Sequence, residues 1–129
     1  MLCRVIYSSE ALGPTGVSTL SIAQILGVSE VNNRRDGITA GLMFHNGHIV
    51  QAIEGKRADV DRLMRRLLAD RRHRGLRILI DTPIAQRVLH EPISVCPDPR
   101  ALLERIGVSE ISRMTANEAE AILETRYAA

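Results

Sequence analysis

His45-Asn46-Gly47-His48 stands between two apolar runs, residues 38–44 and 49–53, and constrains this chain more than any other feature. Asn-Gly readily takes the positive φ angles of a two-residue turn, so the two runs are predicted to pair as an antiparallel hairpin. The other elements arrange themselves around it. Residues 2–7 read as a strand bounded by Ser8-Ser9-Glu10 and Gly13-Pro14-Thr15-Gly16. Ile22, Ile25 and Leu26 fall at helical spacing within residues 18–33, and Asp36-Gly37 ends that segment. Glu54-Gly55 is expected to break the strand after the hairpin. A second amphipathic helix is predicted over residues 57–70, with Val60, Leu63, Met64, Leu67 and Leu68 on one face, then a strand over 76–80.

Strand, helix, strand, strand, helix, strand is the ferredoxin-like α+β arrangement, with both helices on one face of the sheet. A right-handed crossover puts the third strand between the first and second, so the first and third become neighbours. A short fifth strand is expected within residues 84–95. Asp98-Pro99 has the form of an N-cap with proline in the first helical position. Thr115 and Glu118 have capping-box spacing at the start of a last helix. The expected division is a domain over residues 1–97 and a helical extension over 98–129. Ile122 and Leu123 of the extension are expected to cover the bare sheet face or to join subunits. A homo-oligomer is the expectation for a sheet with helices on one side.

Composition narrows the class. The 129 residues favour one domain, and 25% charged with 45% hydrophobic is an ordinary balance for a water-soluble protein. Tyr7, Phe44 and Tyr127 are the only aromatics, so the core must be aliphatic. Net charge is +2, too small to imply a nucleic-acid or membrane partner, and the arginine-rich run at 62–77 reads as a solvated face. An RNA-binding sheet would need exposed aromatics for base stacking, which this chain lacks. Cys3 and Cys96 have neither metal-ligand spacing nor the pattern of a disulfide framework, and suit a reducing cytoplasm. No leader peptide or membrane span is visible. No nucleophile–base pair or phosphate loop suggests an enzyme, and His45 and His48 are expected to face solvent beside their turn.

Polar side chains fall where a core should be. Ser29 and Asn33 lie in the middle of the face set by Ile22, Ile25 and Leu26, with Asn32 at its edge. A buried, unpaired amide costs about 1–3 kcal/mol; the plainer reading is that these residues cap the helix end. Gln51 alternates with Ile49 and Ile53, and Tyr7 with Val5 and Cys3. With their strands adjacent, a Tyr7–Gln51 hydrogen bond is plausible, although a half-buried strand tyrosine needs no such role. Arg66 and Asp70 are spaced i and i+4, which alone implies only a surface ion pair worth less than about 1 kcal/mol. Together these groups suit a flat ligand with an apolar body and a polar edge.

The ordered motifs closely resemble the BLUF family of flavin-binding blue-light sensors. They are Arg4-Val5-Ile6-Tyr7-Ser8-Ser9, Ile25-Leu26 with Ser29, Asn32-Asn33, Gly37-Ile38-Thr39, Gln51-Ala52-Ile53-Glu54-Gly55 and Asp70-Arg71-Arg72-His73. The resemblance spans about residues 2–88. It implies a non-covalent flavin, FAD with FMN or riboflavin as alternatives, held between the two helices. Asn33, helped by Asn32, would hold the ring edge, Ile25 and Ser29 would line it, and Arg66 and Asp70 would bond its pyrimidine side. His73 joins the implied cofactor-binding set. Gln51 would sit between Tyr7 and the flavin, and blue light would move an electron and a proton from Tyr7. A rotated or tautomerised Gln51 would persist as the signal.

Leu89, Pro92 and Ser94 stand where the family usually carries phenylalanine, tryptophan and methionine, and Ala40 replaces a usual glycine. This motivates a second reading, a degenerate flavin-free protein-interaction domain. Residues 98–127 are too few for a cyclase or phosphodiesterase, so signalling is expected to pass to a separate, unidentified protein.

Overall fold

The structure, a computed structural model, describes residues 1–12 and 19–127. The hairpin forms as predicted: β2 (Thr39–His45) and β3 (His48–Lys56) pair antiparallel up to His45 opposite His48. Asn46 and Gly47 take φ of 49° and 76°, the pair of left-handed conformations that such a turn requires. β1 (Leu2–Ala11) lies antiparallel on the other side of β3, with β4 (His73–Pro83) beyond it. A two-residue β5 (Ser94–Val95) joins β2 in parallel, giving the order β4-β1-β3-β2-β5. The first and third strands are neighbours, and their register sets Tyr7 opposite Gln51.

Helices α1 (Thr19–Asp36) and α2 (Arg57–Ala69) cover one face. Val60 and Met64 pack there with Cys3, Val5, Leu42 and Ile53 in an aliphatic core. α1 runs on to Asp36, so Asn32 and Asn33 lie within the helix and are not its caps. It closes at Gly37, whose φ of 67° only glycine adopts without steric cost. Glu54 and Gly55 do not break β3, because β1 supplies a partner to each, Arg4 and Cys3. A Cβ on Gly55 would sit 3.3 Å from both Ile38 and Val60, so its missing side chain makes room for packing there.

The extension changes the architecture. α3 (Pro99–Ile106), a 3-10 turn (Ile111–Arg113) and α4 (Ala116–Tyr127) pack on the opposite face. Leu103, Ile111, Met114 and Leu123 close a second core with Ile6, Met43, Val50 and Ile80. The sheet is thus covered on both sides by one chain, and the bare apolar face that suggested subunit contacts is filled. The predicted caps are present: Asp98 accepts from the Ala101 N–H at 3.1 Å. Thr115 and Glu118 bond each other's backbone N–H at 3.2 and 2.9 Å.

One charge is fully buried on this side. Glu54 Oε2 accepts from Arg4 Nε and Nη2 at 2.8 and 2.6 Å, while Oε1 accepts from the Val88 and Leu89 N–H groups at 2.9 and 2.7 Å. Arg87 fastens the same segment to the Gly37 carbonyl and the Thr39 hydroxyl at 2.7 and 2.9 Å. The chain between β4 and β5 is therefore tied across β3 and β2 by polar contacts.

Candidate functional site

A cleft opens on the α1/α2 face and holds about 640 Å³ of empty space, part of it open to solvent. Its walls are apolar: Leu42, Phe44 and Ile49 from the hairpin, Leu63 and Leu67 from α2, and Ile93 ahead of β5. Polar groups enter at fixed points, Tyr7 and Gln51 from the central strands, Ser29 and Asn33 from α1, and Asp70, Arg72 and His73 after α2. An apolar slot with a few converging donors and acceptors is the ordinary form of a small-molecule site.

The Tyr7 hydroxyl donates to Gln51 Oε1 at 2.5 Å. Both residues are buried, 2% and 7% exposed, so the bond is shielded from water. With its oxygen occupied by the phenol, Gln51 has its amide NH2 left for the cleft. Burial, with a smaller contribution from Asp70, pushes the Tyr7 pKa well above its ordinary value of 10.0. The phenol therefore stays a donor throughout the neutral range.

Asn33 is 2% exposed, and its Nδ2 donates to the Pro92 carbonyl at 2.7 Å. His73 Nε2 lies 2.6 Å from the Leu67 carbonyl, which can only accept, so Nε2 carries a proton. Its Nδ1 lies 2.8 Å from Ser9 Oγ, and the ring stands 6.3 Å from that of Tyr7. Asp70 takes a bond from the Arg72 backbone N–H at 2.9 Å and from Nε and Nη2 of the same residue at 3.0 and 2.5 Å.

A family model described as "Sensors of blue-light using FAD" matches residues 2–91. The chain belongs to the BLUF family. It is 31% identical over 87 residues to the photoactivated adenylate cyclase subunit beta-like protein 1224-5/9F of Euglena gracilis, a match covering 67% of this chain. The chain spans about a tenth of the length of that curated relative. Among solved structures, the dark-state BLUF protein BlrB is 31% identical, with 96% of each chain covered and a TM-score of 0.77. The photo-activated state of BlsA covers the whole chain and 96% of its own at a TM-score of 0.87, which at 18% identity is a likeness of fold.

The BLUF cleft brings together six of the nine residues expected from the sequence to bind cofactor or act in photochemistry. Tyr7, Gln51, Asp70 and His73 line it with Ser29 and Asn33, whereas half-buried Asn32 does not. The side chain of Ile25, like that of Ile22, lies outside the described residues. Arg66 is placed elsewhere: its Nη2 approaches Asp36 at 3.5 Å, and its side chain is 46% exposed. The expected Arg66–Asp70 pair is absent among the described residues because α2 stops at Ala69. Asp70 is the C-cap at φ −75° and ψ 122°, so its side chain has left the helical wheel on which i,i+4 spacing depends.

Arg72 takes that place. Sequence reasoning missed it, although it stands inside the quoted Asp70-Arg71-Arg72-His73 motif; only the turn after α2 shows which arginine returns to the cleft. Its hydrogen bond holds the Asp70 carboxyl below its ordinary 3.8, with burial opposing. A carboxyl whose pKa is lowered by folding stabilises the fold above its unfolded value and loses that contribution as pH falls through its folded value. Unfolding midpoints measured from about pH 5 down to pH 3 should therefore fall more steeply for the native chain than for Asp70→Asn.

Among the described residues no His, Cys, Asp and Glu cluster of three or more is arranged to hold a metal ion, and no helix is long and apolar enough to cross a membrane.

Proposed function

We propose that this chain is a blue-light sensor that binds a flavin, FAD first among the candidates, without a covalent bond. We further propose that it signals by rearranging the hydrogen bonds of Tyr7 and Gln51. The observation that carries this is the 2.5 Å bond between a buried phenol and a buried carboxamide on the floor of an apolar cleft. The donor set suits the group: Gln51 and Asn33 present amides to a flat ring's polar edge, Arg72 a guanidinium, and Leu63, Leu67 and Ile93 its apolar body. A bound flavin supplies the blue absorption and an electron-accepting ring.

The rest is the work of this chain's side chains. Tyr7 is a neutral phenol, so loss of an electron requires its proton to leave as well, and the bond to Gln51 gives that proton a path. When electron and proton return, Tyr7 is unchanged and nothing has been consumed. What persists is a rotated or tautomerised Gln51, whose altered bonds are read by the surrounding structure. Asn33, Asp70, Arg72 and His73 bind and orient the ring. The chain itself carries out no catalysis in this reading; it acts in the cytoplasm through a separate partner, alone or as a homo-oligomer.

Absorption before and after blue illumination tests the proposal. The purified chain is expected to be yellow, with a flavin band that moves slightly to the red in blue light and recovers in darkness. Gln51→Leu should keep the colour and lose the shift. A colourless chain that also refuses added riboflavin, FMN and FAD would favour the flavin-free interaction domain suggested by Leu89, Pro92 and Ser94.

A further inference from the structure

β5 is where the cleft and α4 meet. From the cleft, Asn33 holds the carbonyl of Pro92 at 2.7 Å, just ahead of the strand. From the opposite side, α4 holds the strand itself. Ser94 Oγ lies 3.4 Å from the Ala40 carbonyl and 2.9 Å from the Tyr127 hydroxyl. A carbonyl cannot donate, so Ser94 gives its proton to Ala40 and accepts from Tyr127. Arg126 Nη2 donates to the Val95 carbonyl at 3.0 Å. Two consecutive residues of α4 thus grip both residues of β5.

Gly41 completes the seat. A Cβ built there would overlap the Tyr127 hydroxyl, so the phenol lies in a notch that any side chain would fill. The grip is also poised for release. β5 is an edge strand of two residues, and Arg126 Nε is buried without a hydrogen-bond partner among the described residues. Opening would return that donor to water, which lowers the cost of letting go.

We propose that the Ser94–Tyr127 pair, seated over Gly41, is a clasp tying α4 to β5, and that it opens when the cleft alters the hold of Asn33 on Pro92. This rests on the photosensing function proposed above. Ser94 is one of the departures from the usual family pattern, and here it has gained a partner in α4. The signal would leave the cleft through one carboxamide, pass along β5 and emerge as a loosened α4.

Amide hydrogen exchange on the full, flavin-loaded chain decides the matter. In darkness, Tyr127→Phe, Ser94→Ala and Gly41→Ala should each raise exchange at residues 120–127 by roughly three- to tenfold, the effect of one lost hydrogen bond. β1, β3 and the flavin band should be unchanged. Blue light should raise exchange at the same amides in the unsubstituted chain and add little in the variants. Unaltered dark exchange in all three variants overturns the clasp. So does a normal red shift with no light response in α4, or an equal light response in all four proteins. Lack of any red shift in the unsubstituted chain overturns the photosensor reading instead, and the dark comparison still judges the contact.

Discussion

A Tyr7→Phe chain is expected to stay yellow when loaded with flavin and to lose its light-induced red shift. Phenylalanine fills the same space among Val5, Ile53 and Met64, so the cleft keeps its walls. What disappears is the hydroxyl that gives Gln51 Oε1 its bond, and with it the electron and proton that the proposed photochemistry requires. Leaving that buried oxygen unpaired costs about 1–3 kcal/mol, which a denaturant titration can read separately from the spectrum. Alkali supplies a second signature. Because folding raises the phenol's pKa above 10.0, its contribution to stability is whole below pH 10 and is lost as pH rises further. Tyr7→Phe should remove that alkaline loss. A normal photocycle in Tyr7→Phe would refute the proposed mechanism.

Glu54→Ala should cause the largest loss of stability. The Glu54 carboxylate is inaccessible to solvent, and its removal strands the Arg4 guanidinium, whose side chain is 16% exposed, together with the N–H groups of Val88 and Leu89. Breaking a buried pair in this way costs about 3–5 kcal/mol, because the surviving charge keeps its desolvation penalty without its partner. For a chain of this size that corresponds to a fall in melting temperature on the order of 10–20 °C. Glu54→Gln should cost less, since its carbonyl still accepts from the backbone. Arg4→Met in the Glu54→Ala background should recover part of the loss by removing the orphaned cation. Full stability in Glu54→Ala would show that the segment carrying Val88 and Leu89 is held by Arg87 and its apolar contacts without help from Glu54.

The two effects belong to opposite faces of one strand. In β3, Gln51 faces the cleft while Glu54 faces the second core, and alternation keeps them apart. The cleft face was the more legible of the two. Ile49, Gln51 and Ile53 alternate in the sequence, and a glutamine between isoleucines either faces solvent or is buried beside a partner; the structure shows the second. The Glu54 face gave no such signal. Glu54-Gly55 looks like a strand end, and its partners are a β1 arginine and backbone groups some thirty-five residues away.

Local chemistry explains what could be read in advance. Asn46-Gly47 dictates the turn, the turn sets the hairpin register, and crossover handedness brings β1 beside β3; each step depends on near neighbours or a general chiral rule. That much makes β1 and β3 neighbours and allows a Tyr7–Gln51 bond, while the register that sets the two residues opposite each other is seen in the structure. The pairing of Arg72 with Asp70, the Ser94–Tyr127 contact and the choice of the sheet face over a second subunit for the C-terminal helices came only with the assembled molecule. They depend on where α2 ends in space and on how a distant helix folds back over the sheet, and no periodicity along the chain encodes a contact between segments that it does not connect.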